Sequence, residues 1–69
     1  MDQLSKQRSE LEKAGFYGET LENALNLIER TGASQILTKT LVKSVTKKGM
    51  TPSMALHTAE TFLREKGFL

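Results

Sequence analysis

Apolar residues recur along this chain at helical intervals, and four separate stretches carry that rhythm. The clearest is the second, where Leu21, Ala24, Leu25 and Ile28 stand at i, i+3, i+4 and i+7, with Glu22, Asn26 and Glu29 opposite. That spacing predicts an amphipathic helix from Glu19 or Thr20 to Arg30, with Glu19 and Glu22 early, where the helix dipole favours acids. The first stretch is thinner. Leu4, Leu11 and Ala14 share one side of a helix expected from Asp2 or Gln3 to Ala14, with Asp2 placed to cap it and Ser9 with Glu12 offering a second start. In the third, Leu37, Leu41 and Val45 gather on one side with Val42 at the edge, from a Ser34 cap to Lys47 or Lys48. The fourth begins with Thr51 as cap and Pro52 in the first turn, then sets Ala55, Leu56, Ala59, Phe62 and Leu63 on one face.

The punctuation between these stretches agrees with the periodicity. Gly32 and Gly49 close the second and third helices, while Gly15-Phe16 and Gly67-Phe68 form the same stop: a glycine that accepts the left-handed turn, then an apolar residue that folds back. No stretch alternates with the period of a strand. The pattern therefore predicts an all-α fold, a compact bundle of four short helices joined by tight Gly/Pro turns, with residues 1–69 forming a single small helical domain. The expected core is Leu11, Phe16, Leu21, Leu25, Ile28, Leu37, Leu41, Val45, Leu56, Ala59, Phe62 and Leu63.

Length sharpens one point. A chain of 69 residues closes a core poorly, so the sparse apolar side of the first helix, with Leu4, is a candidate contact for a homodimer. Composition removes several chemistries. There is no cysteine, and His57 is the single histidine, expected beside Glu60 and Arg64 on a polar face. No nucleophile motif, phosphate loop or dinucleotide-binding glycine pattern occurs, so no catalytic residue, cofactor or small-molecule substrate is expected. Glu10 and Glu12, two apart, diverge on a helix and make a poor metal site. No run of 18 apolar residues predicts a membrane span, and the N-terminal stretch lacks the apolar region of a signal peptide. With the absence of cysteine, the expectation is a cytoplasmic protein.

Charge changes the picture more by placement than by amount. Ten basic and eight acidic side chains leave a net charge of only +2, yet residues 34–48 hold Lys39, Lys43, Lys47 and Lys48 and no acid at all. On a helical wheel Lys39, Lys43 and Lys47 lie opposite Leu37, Leu41 and Val45, with Ile36 among them. Like charges at i, i+4 cost a few tenths of a kcal/mol per pair, and no acid in this helix relieves them. Such a stripe suits an anionic partner or acids reaching over from the second helix, which carries Glu19, Glu22 and Glu29. It is also what a plain solvated face looks like.

The segment IERTGASQILTKTLVKSV resembles the helix-turn-helix of bacterial repressors. Gly32, Ala33 and Ser34 match its turn, and Gln35, Ile36 and Lys39 fall where the exposed front of its recognition helix would be. Two positions differ from that pattern: Ile28 stands where the motif has a small residue, and Thr38 where it has a buried valine or isoleucine. A standard crossing of the two helices would bury Thr38 and expose Leu37. The resemblance implies a small regulator that binds DNA through the third helix. Gln35 and Lys39 would then face base edges, and Lys43, Lys47 and Lys48 would hold phosphates. The alternative is a protein-interaction module, an adaptor or inhibitor that binds an acidic protein surface through the same Gln35, Ile36, Lys39, Lys43, Lys47 and Lys48 set, or through the thin first helix with Leu4 or the exposed Ile36 and Met54, without touching nucleic acid.

Overall fold

Helix formation follows the predicted rhythm closely. The computed structural model describes residues 4–32 and 34–69, and of Ser34 only its backbone. In it the chain forms α1 (Ser5–Lys13), α2 (Gly18–Thr31), α3 (Ser34–Thr46) and α4 (Pro52–Glu65), with no strand among the described residues. Asp2, Gln3 and Ala33 lie outside the described residues, and so do the Asp2 cap and the capping by the Ser34 side chain.

The helix ends show why the boundaries fall where they do. At the end of α1 the Phe16 N–H donates to the Leu11 carbonyl at 2.9 Å and the Gly15 N–H to that of Glu12 at 3.0 Å, the paired bonds of a Schellman stop. Gly15 takes φ +103°, where a side chain is strained, and the turn drives Phe16 into the core, where it is fully buried. Phe68 and Gly67 repeat these bonds to Leu63 and Arg64 at 2.9 and 3.2 Å, but here the aromatic ring is not drawn into the core and Phe68 is exposed. At the start of α4 the Thr51 hydroxyl accepts from the Met54 N–H at 3.2 Å, with Pro52 behind it, as the sequence predicts. Ser9 is no cap. It lies inside α1, whose first turn is already closed by the Arg8 N–H donating to the Leu4 carbonyl at 2.8 Å. An Arg8–Glu22 ion pair of 2.9 Å then ties α1 to α2.

The packing has a simple plan. α2 and α3 each pack on all three other helices, while α1 and α4 flank them and do not pack on each other. The radius of gyration is 10.9 Å, close to the ~11 Å expected of a compact chain of this length, so α1 folds onto the body rather than trailing from it. Leu4 and Ala14 are partly buried against the core, which means the sparse apolar side of α1 is already used within the chain.

Ten of the residues expected in the core are buried: Leu11, Phe16, Leu21, Leu25, Ile28, Leu37, Leu41, Leu56, Ala59 and Leu63. Val45 is only partly covered. Phe62 is 56% exposed, because it faces an open groove between α3 and α4 rather than the closed interior. Leu27 is buried although it falls off the narrow stripe, since α2 has neighbours on several sides and needs a wider apolar arc. Thr38 is buried as the helix-turn-helix crossing predicts, but Leu37 is buried as well, covered from the α4 side.

Candidate functional site

α3 sits between two flanking helices, so its outer surface forms a crest with a depression on either side. Gln35, Ile36, Lys39, Lys43 and Lys47 are all exposed along that crest, as the wheel predicts. The burial of Leu37, Thr38 and Leu41 beneath them fixes the rotation of the helix. Gly32 sets its entry: it closes α2 in the left-handed conformation, φ +66°, with its N–H donating to the Ile28 carbonyl at 3.0 Å.

On the α1 side lies an open cleft of about 500 Å³. Lys39 and Lys43 line it from α3 and Lys47 from the turn after it, and Lys13 joins them from α1, with Glu10 as the single acid. Ala14 and Val42 supply apolar lining between the charged rims. A smaller recess of about 130 Å³, lined by Lys6, Gln7, Glu10, Gln35 and Lys39, adjoins it toward the start of α3. Gln7 lines this recess, and its Oε1 is buried with no hydrogen-bond partner among the described residues.

The cations of the cleft are not neutralised from within. None of Lys13, Lys39, Lys43 and Lys47 makes an ion pair with a described residue, and the acids of α2 do not reach them: Glu22 is held by Arg8. The like-charge repulsion along α3, a few tenths of a kcal/mol per i, i+4 pair, thus stands in the free protein.

The six residues singled out by sequence do not form one site. Gln35, Lys39, Lys43 and Lys47 lie on the crest and the α1 side. Ile36 and Lys48 line the opposite groove, of about 370 Å³, between α3 and α4. Lys13 was missed. Its signal was present, since Lys6, Glu10 and Lys13 recur at i, i+4 and i+7 on α1, but only the packing of α1 on α3 brings that face to the lysine stripe. His57 is exposed on α4 and belongs to neither depression. No described helix is long and apolar enough to cross a membrane.

The fold and cleft define a small all-α protein with a cation-lined surface on its third helix. Comparison with known proteins finds no matching family model, curated protein or solved structure.

Proposed function

We propose that this chain is a small cytoplasmic regulatory protein that binds DNA through α3, in a manner like a helix-turn-helix. The observation that carries the reading is the uncompensated lysine set. Lys13 of α1, Lys39 and Lys43 of α3 and Lys47 just beyond it converge on one cleft, and none is paired with an acid among the described residues. A cationic surface kept unneutralised at a cost in stability fits a partner that brings phosphates.

Each residue has a role in this reading. Lys43, Lys47 and Lys13 neutralise phosphates, with Lys48 reaching the backbone from the turn after α3. Gln35 and Lys39, at the exposed start of the helix, read base edges in the major groove. The left-handed Gly32 and the buried Thr38 support the two-helix unit to which those roles belong.

The test is charge reversal on the crest. Lys39→Glu with Lys43→Glu changes two exposed side chains without ion-pair partners, so the thermal melt of the free protein should stay in place or rise slightly. Fluorescence anisotropy with a labelled random duplex at low salt should show binding by the wild-type protein and none by the double variant. Equal binding by both proteins would place any DNA contact elsewhere and reject the site.

A further inference from the structure

The groove on the other side of α3 is unlike the lysine cleft. Leu37, Met50, Ala55 and Leu63 form its interior, and Ile36 and Phe62 stand at its lips, 76% and 56% exposed. Ile36 and Phe62 thus present apolar surface to solvent on both sides of a groove of about 370 Å³ whose interior is also apolar.

We propose that this groove binds the apolar face of an acidic amphipathic helix from another protein. The shape argues for a helix. The groove runs between two helices and offers no strand edge, so an extended peptide would lie there with its backbone groups unpaired, whereas a helix satisfies its own. Anchors at i, i+3 or i+4 and i+7 of one helix face are the side chains such a trough takes.

The charge argues for acid. Lys48 is the one charged residue lining the groove, and Lys66 places its Nζ 5.7 Å from the centroid of the Phe62 ring. Glu65, three residues beyond Phe62, is exposed and does not line the groove. A second copy of the chain fits poorly. Its α3 would bring lysines against lysines, and its acidic helix, α2, has its apolar side buried in its own core and its Glu22 engaged with Arg8.

The test uses random 20-residue peptides displayed on phage and selected against the intact protein. Phe62→Glu serves as the variant: the side chain is more than half exposed, so the fold should tolerate it, and the new carboxylate repels an acidic partner. Enriched peptides should share apolar residues at helical spacing with a net negative charge. Synthesised, they should bind the Phe62→Glu protein about tenfold more weakly or worse. Their binding should shift the amide resonances of α3 and α4 that border the groove. Failure of the selection, enrichment of neutral or basic peptides, or equal affinity for the variant would overturn the proposal. So would a concentration-dependent dimer in sedimentation that Phe62→Glu dissolves, since the occupant would then be a second copy. Duplex binding by Phe62→Ala, which adds no charge beside Lys48, should match wild type, so this result and that of the lysine crest are read separately.

Discussion

Thr38 offers the sharpest test of how the core is built. It is 1% exposed in the middle of α3, and its Oγ1 has no hydrogen-bond partner among the described residues. Three other threonines return their hydroxyls to the carbonyl one turn back: Thr31 to Leu27 at 3.0 Å, Thr40 to Ile36 at 2.9 Å and Thr46 to Val42 at 2.8 Å. Thr38 does not, so its hydroxyl is desolvated without compensation. A buried polar group left unmatched costs about 1–3 kcal/mol. Thr38→Val keeps the shape, removes that group and leaves helix propensity almost unchanged, because threonine and valine rank together. The expected gain is about 1–2 kcal/mol, and each kcal/mol moves the midpoint of a domain this small by roughly 4–8 °C. Thr38→Ser makes the opposite change, keeping the hydroxyl and deleting a buried methyl, and should lose about 1 kcal/mol. Thermal melts followed by circular dichroism decide between them. If Thr38→Val melts at or below the wild-type temperature, the hydroxyl has a buried partner and the reasoning fails.

Two further substitutions probe the frame that holds the crest. Leu41→Ala, at a position 1% exposed beneath the lysines, should cost about 2–5 kcal/mol in urea unfolding, and a loss under half a kcal/mol would mean that α3 is rotated away from the core. Gly15→Ala should cost roughly 1–2 kcal/mol in the same assay. Its new Cβ would meet the Pro52 Cγ at an ordinary 3.8 Å, so the loss comes from forcing a side chain to φ +103°; an unchanged midpoint would show that the Schellman turn is dispensable.

Helix number, the helix ends and most of the core were legible because each depends on residues close in sequence. Gly15-Phe16 writes its own stop, Thr51-Pro52 its own start, and the 3.6-residue rhythm marks which side of each helix is apolar. What the rhythm leaves open is which neighbour covers that side, and how completely. Phe62 shares the apolar face of α4 with Ala59 and Leu63, yet it projects where α3 and α4 diverge and stays half in water. Leu27 lies off the stripe and is buried because α4 reaches around α2. The lysine crest was visible from one helix alone. Lys13 was not, because it enters the cleft only through the packing of α1 on α3, a contact between segments far apart in sequence. The division of Ile36 and Lys48 from the other site residues has the same origin: their side of α3 is decided by α4.

The central claim is that the lysines of α3 and Lys13 exist to meet phosphates, and salt dependence tests it most directly. Each phosphate neutralised on duplex DNA releases counterions and contributes about 0.9 to the slope of log affinity against log salt. Three or four contacts from Lys13, Lys43, Lys47 and Lys48 predict a slope of roughly −2.7 to −3.6 on a random duplex, lowered by about one unit when Lys43 alone becomes alanine. No detectable binding at low salt, or binding whose slope Lys43→Ala leaves unchanged, would contradict the account.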